Sequence, residues 1–188
     1  VDGTMEGADR VKEIVNDLRQ FSSAQVSEKA SFDLSHAVHT ALHWIMKESD
    51  FAVEVVDNIP RPLEAYGHAG QIHQVVVNLI ENALRYGGLG VEVAAHVSGD
   101  SSAPYVVLSV LDRGTGIDPQ ELGEIFNPFI RGDRARGGQG AGLGLAIVKR
   151  IASQHGGVIE LRNREGVGLE ARVSLPLGLL LPRDSIKT

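Results

Sequence analysis

Between residues 4 and 26, Val11, Ile14, Val15 and Leu18 fall at i, i+3, i+4 and i+7, with Phe21 extending the row and charged residues on the other face. That spacing predicts a helix with one narrow apolar stripe. A stripe this narrow suits packing against another helix, either from a second chain or from the same domain. After a polar link, SFDL reads as a short strand, and Ser35 as the N-cap of a helix ending near Ser49. FAVEVVDNI (51–59) alternates as a strand until Pro60 and Pro62 break it, and LEAYG is a further short strand.

The strongest periodicity runs from Ala69 to Tyr86, where Ile72, Val75, Val76, Leu79, Ile80 and Ala83 predict a wide buried helical face. Two strands, 91–97 and 105–111, follow around the turn GDSSAP. A short helix is expected over 118–124, then about twenty residues rich in Gly and Arg, then a helix from Ala141 to Gln154. VIELRN and GLEARVSLP read as the last two strands, with a loose tail after Pro176. Helices and strands mix without a strict βαβ alternation, so the class is α+β.

Composition narrows this picture. The 188 residues and 43% apolar content fit one ordinary domain with an attached element. A net charge of −6 argues against a general nucleic-acid binder, which needs a basic surface. With no cysteine there is no disulfide and no thiolate metal site. No apolar run is long enough to span a membrane. No signal-peptide pattern opens the chain, which begins at Val1 and reads as an excised piece of a longer protein.

Candidate chemistry starts at GGQGAGLGLAIVK (137–149), five glycines in eight residues before an apolar helix. Bare backbone N–H groups and the helix dipole make such a turn a phosphate cradle, though it also fits a plain hinge. A P-loop would need a Lys-Ser/Thr pair after the last glycine, and none is present. In QVVVNLIENALRYG (74–87), Asn78 and Asn82 share a helical face, with Arg85 and Tyr86 close by. Amide oxygens suit a hydrated magnesium ion that bridges phosphates, and arginine forks onto phosphate. The same residues also fit an ordinary solvated surface. DRGTGID (112–118) ends an apolar strand: Asp112 can accept from an exocyclic amine while Gly114 and Gly116 let a ring lie close, or the segment is simply a turn. In IFNPFIRGDRARGG (125–138), Phe126 and Phe129 bracket a proline and suit anchoring one end of a loop in a hydrophobic pocket. Arg131, Arg134 and Arg136 follow as a local positive cluster, a cationic lid or a solvated basic loop.

Taken in order with GVGLEARVSLP (166–176), these stretches resemble the N, first glycine, F and second glycine boxes of the catalytic domain of bacterial sensor histidine kinases. That domain belongs to a superfamily shared with gyrase, a chaperone ATPase and the MutL proteins. The resemblance covers residues 31–176 and implies the Bergerat fold: a two-layer α/β sandwich, a mixed sheet of about five strands under three helices, plus the N-terminal helix. It implies ATP and Mg2+ as cofactors. Asn82 becomes the metal ligand, and Asn78 a second polar group at the metal and phosphates. Arg85 stands in for a phosphate-contacting lysine, with Tyr86 beside the nucleotide. Asp112 binds the adenine amino group, and Gly114, Gly116 and Ile117 line the base pocket. Phe126, Phe129 and Arg131 form the F box. Gln139 reaches the γ-phosphate ahead of Gly140, Gly142, Leu143 and Gly144 in the second glycine box. Asn78, Arg85 and Arg131 are the catalytic candidates.

The resemblance further divides the chain into residues 1–27, part of a dimerisation and phosphoacceptor hairpin, a catalytic domain over 28–176 and a flexible tail over 177–188. Expected partners are the hairpin's acceptor histidine, a response-regulator receiver domain and a second copy in the full-length homodimer, with no nucleic acid. The expected location is the cytoplasmic portion of a kinase that can be membrane-anchored. None of the seven histidines is followed by an acidic residue, as an acceptor histidine of this family usually is, so the chain is expected to lack its own acceptor. His68 stands where the family often has Asp, and Leu169 where it usually has Thr, which touches helix capping and one adenine-side contact. Rival readings are a related ATPase or serine kinase, and a degenerate module that only dimerises or binds nucleotide.

Overall fold

The computed structural model describes residues 29–48, 53–55, 61–87, 90–100, 103–130 and 142–177, and adds Val15 as a helical residue. The predicted helix over 4–26 (Val15 apart), the Gly/Arg stretch 131–141 and residues 178–188 lie outside the described residues. In chain order the elements are β1 (Ala30–Asp33), α1 (Leu34–Glu48), β2 (Val53–Val55), β3 (Glu64–Gly67), α2 (Ala69–Gly87), β4 (Val91–Ser98) and β5 (Tyr105–Leu111). Then come α3 (Gly144–Gln154), β6 (Val158–Asn163) and β7 (Leu169–Pro176).

Five strands make a mixed sheet in the order β2-β4-β5-β7-β6, parallel only between β2 and β4. β1 and β3 pair separately as an antiparallel ribbon, beyond the single sheet expected. Strand registers align Val93, Val110, Ala171 and Leu161 in one row, and Ala95, Leu108, Val173 and Ile159 in the next. Those rows face the helices; the alternate row carries Glu92, Leu111, Glu170 and Arg162. One apolar face against one polar face is why the helices form a single layer. All six apolar residues predicted for the face of α2 are buried, joined by Ala37, Val38, Ala41 and Leu42 of α1 and by Ile147, Val148 and Ile151 of α3. Burying each larger aliphatic side chain contributes about 1.5–3 kcal/mol, so the core anchors α2, which carries much of the candidate site.

Four local expectations are corrected. Asp33, not Ser35, caps α1: its Oδ1 accepts from the Ser35 N–H (2.9 Å), the Ser35 hydroxyl (2.6 Å) and the His36 N–H (3.4 Å). The Ser35 hydroxyl is the chief reason its carboxyl titrates below the usual range. Residues 118–124 form consecutive turns rather than a helix. Asp118 Oδ1 takes the Gln120 N–H (2.8 Å) and its carbonyl accepts the Glu121 (2.9 Å) and Leu122 (3.2 Å) N–H groups, so the segment opens as a capped helix would but does not continue as a regular one. The last helix begins at Gly144, not Ala141, because Gly142 sits at φ 74°, outside helical geometry. Leu177, expected in the loose tail, packs against the core, and its N–H donates to the Pro104 carbonyl (2.9 Å). No helix among the described residues is long and apolar enough to cross a membrane.

His155 ties the far end of α3 to the start of α2. Its Nδ1–H donates to the Ile151 carbonyl (2.9 Å) and its Nε2 accepts the His68 N–H (3.2 Å), the pattern of a neutral imidazole. Burial lowers its pKa, with the His68 and Lys29 charges adding in the same direction. The unfolded chain therefore binds this proton more readily. The contribution to stability is complete above the unfolded value of about 6.5 and is lost as pH falls from there to the depressed folded value. Thermal melts from pH 8 to pH 5 are expected to drop more steeply for the wild type than for His155→Gln; parallel curves would contradict this linkage.

Candidate functional site

The apolar face of α2 fixes what its polar face presents. With Leu79 and Ala83 turned to the core, Asn82, Arg85 and Tyr86 border a cleft of about 830 Å3. The opposite rim is the segment leaving β5, with Asp112, Gly114, Gly116 and Ile117, and the start of α3 adds Gly142 and Gly144. Those nine predicted residues, drawn from three places in the sequence, line one cavity. The volume lies in the range of small-molecule and cofactor sites.

Four other candidates do not line the cleft. Asn78 sits a turn back on α2 and donates from Nδ2 to the Gln74 carbonyl (2.9 Å). Leu143 is wholly buried in the core, with its carbonyl accepting the Ile147 N–H. Phe126 packs against the core with Lys149 Nζ 5.3 Å above its ring, whereas Phe129 is 60% exposed. The pair therefore anchors through Phe126 alone. Phe129 has φ 67°, uncommon for a side-chain-bearing residue, and its N–H donates to the Gly142 carbonyl (3.1 Å), joining the two ends of the described chain around 131–141. Arg131, Gln139 and Gly140 lie outside the described residues.

Asp112 is the most constrained group in the cleft. It is buried, and its Oδ1 accepts two backbone N–H bonds, from Gly114 (2.8 Å) and Leu169 (3.0 Å). Its own N–H donates to the Leu169 carbonyl (3.0 Å), while Arg164 Nη1 donates to its carbonyl (2.8 Å). Oδ2 has no hydrogen-bond partner among the described residues. A carboxylate with one oxygen committed to the backbone and the other facing a cleft is an oriented acceptor. Leu169 performs this service through its backbone, so the absent threonine hydroxyl leaves the anchoring intact. His68 likewise begins α2 through its carbonyl, which accepts the Gln71 (3.0 Å) and Ile72 (3.2 Å) N–H groups.

Sequence reasoning missed much of the wall. Leu79 and Ala83 read as core from the periodicity of α2, and Val110, Leu161 and Ala171 only as strand residues; all five lie in or against the core where the cleft cuts into it. For Val110, Leu161 and Ala171 the signal is their shared strand row, legible only once strands are paired. Asn163, at the end of β6, also lines the cleft and was not anticipated; nothing in VIELRN marks it.

The residues fit a hydrated cation held jointly with phosphate. At the cleft, a Cβ on Gly144 would come within 3.1 Å of Asn78 Oδ1 and 3.2 Å of Asn82 Nδ2, so the missing side chain leaves room beside two amides. No group of three or more His, Cys, Asp or Glu that could hold a metal occurs among the described residues. A metal here would need waters and ligand oxygens to complete its shell, which is magnesium's habit.

Comparisons with known proteins bear on the family and the fold. Residues 67–179 match the family model described as histidine kinase-, DNA gyrase B-, and HSP90-like ATPase. The alginate biosynthesis sensor protein KinB of Pseudomonas aeruginosa is 34% identical over 182 residues, covering 92% of this chain and 29% of that protein. The sensor-like histidine kinase SenX3 of Mycobacterium tuberculosis is 32% identical over 176 residues, covering 90% of this chain and 42% of that protein. The chain thus spans less than half the length of these curated relatives. Among solved structures, a mycobacterial sensor histidine kinase, MprB, aligns with a TM-score of 0.67 at 27% identity, covering 79% of this chain and 98% of that one.

Proposed function

Because this chain belongs to the histidine kinase-, DNA gyrase B- and HSP90-like ATPase family, we propose that it is the ATP-binding catalytic region of a two-component sensor histidine kinase. One observation carries the reading: an oriented carboxylate after β5 and an amide on α2 border the same cleft, with apolar side chains between them. The named relatives favour this branch of the family over its clamp-like ATPases, since both are sensor proteins matched over nine-tenths of this chain.

In this reading Asp112 Oδ2 accepts the adenine amino group, and Val110, Leu161 and Ala171 receive the ring. Tyr86 covers the nucleotide and Arg85 neutralises phosphate charge. Magnesium would be held by the Asn82 amide oxygen together with phosphate oxygens and water, and when bound it would offset charge on the transferring group. The reaction is transfer of the γ-phosphoryl group to an imidazole nitrogen of the hairpin domain: a P–N bond forms, the bridging P–O bond breaks, ADP leaves and the imidazole proton passes to solvent. Catalysis of phosphoryl transfer is mostly positioning and charge neutralisation, which a rigid cleft provides. A receiver-domain aspartate would then take the phosphoryl group.

The test combines the purified chain with a hairpin domain bearing an acceptor histidine and ATP labelled in the γ position. Label on the hairpin is expected; nucleotide hydrolysis without transfer would instead favour an ATPase. Asn82→Ala is expected to cost about 100-fold in affinity for a non-hydrolysable ATP analogue in magnesium, and little in its absence. Calorimetry with and without chelator reads this, and an equal loss under both conditions would remove Asn82 from the metal.

A further inference from the structure

The segment leaving β5 must cross the ends of two other strands before it turns away. It is fastened at both ends of that crossing. At its start, Asp112 exchanges hydrogen bonds with Leu169: the Asp112 N–H donates to the Leu169 carbonyl (3.0 Å) and the Leu169 N–H donates to Asp112 Oδ1 (3.0 Å). At its end, Asn163 grips Ile117 with both halves of its carboxamide. The Ile117 N–H donates to Asn163 Oδ1 (2.9 Å), and Asn163 Nδ2 donates to the Ile117 carbonyl (2.7 Å). Leu169 and Asn163 are themselves cross-strand partners, the last pair of the β6–β7 ladder. One rung of the sheet thus holds both ends of the arch from Asp112 to Ile117.

From this geometry we infer that Asn163 is a positioning residue for nucleotide, setting the shape of the base end of the cleft through Ile117. The inference rests on the nucleotide-binding reading above. A side-chain amide that donates and accepts on one residue's backbone copies an antiparallel strand neighbour, and β6, at the edge of the sheet, has no strand there to do it. Gly116 is adapted to this clamp. It has φ 72°, and a Cβ there would stand 2.5 Å from Asn163 Oδ1. Ile117, Gly116 and Asn163 all border the cleft, so slack in the clamp reaches the bound ring directly.

The experiment measures ATP affinity by calorimetry, KM and kcat for transfer to the hairpin domain, and melting temperature, for wild type, Asn163→Ala, Asn163→Asp, Gly116→Ala and the Gly116→Ala/Asn163→Ala double variant. Loss of two hydrogen bonds predicts a KM for ATP raised about tenfold in Asn163→Ala, with kcat within about twofold. Asn163→Asp keeps the bond to the Ile117 N–H but sets an oxygen against its carbonyl, so it is expected to give no rescue. Gly116→Ala collides with Asn163 only while Asn163 is present, so the two effects on affinity are expected to be less than additive. An unchanged KM in Asn163→Ala, a fall in kcat as large as the rise in KM, a rescue by Asn163→Asp or an additive cycle would each overturn the assignment. If the wild type itself binds no nucleotide, the reading of the cleft fails and this inference falls with it.

Discussion

Asp112→Asn is expected to weaken binding of an ATP analogue by about 100-fold or more, the sum of a lost charge-assisted hydrogen bond and a donor placed where an acceptor is needed. The fold is expected to survive, because the substituted carboxamide can keep its oxygen on the Gly114 and Leu169 N–H groups. That choice leaves its NH2 pointing at the exocyclic amine of the base. The flipped amide offers its oxygen to the base but sets NH2 against two backbone donors. Either orientation fails at one end. Calorimetry beside a urea melt separates the two quantities: wild-type affinity in a folded Asp112→Asn would end the adenine assignment.

Gly168→Ala is expected to give the largest loss of stability. Gly168 is buried at φ 103°, and a Cβ on it would overlap the Asp112 carbonyl oxygen and lie 2.8 Å from the carbonyl carbon. The same oxygen accepts Arg164 Nη1 (2.8 Å), so the carbonyl cannot swing aside without breaking that bond. Left-handed strain and overpacking together cost about 3 kcal/mol or more, lowering Tm by roughly 10 °C. Gly166→Ala is the control: φ is 90° there too, but nothing lies within 4 Å of the added carbon. It is expected to cost about 1 kcal/mol, the backbone strain alone. Equal losses at both positions would show that crowding at Asp112 contributes nothing.

Most helices and strands were legible because their signals are local. The face of α2 repeats every third and fourth residue, and β6 is bounded as its alternation predicts. Two misplaced helix starts share a cause: a capping side chain or a single dihedral fixes them rather than the periodic pattern, as at Asp33 and Gly142. Spacing could not reveal that Phe129 turns outward while Phe126 turns in, because that depends on one φ angle of 67°.

The order and residue types of four motifs determined the family and nine of the residues that border the cleft, since backbone freedom, amide ligands and an acidic acceptor are properties of individual residues. Tertiary structure alone decided which apolar residues of the core also serve as the wall, that Leu169 acts through its backbone, and that Asn163 closes the arch from 46 residues away. The physical reason is that strand pairing, not sequence distance, sets which groups come within hydrogen-bonding reach, and a single rung between β6 and β7 brings Leu169 and Asn163 to one edge.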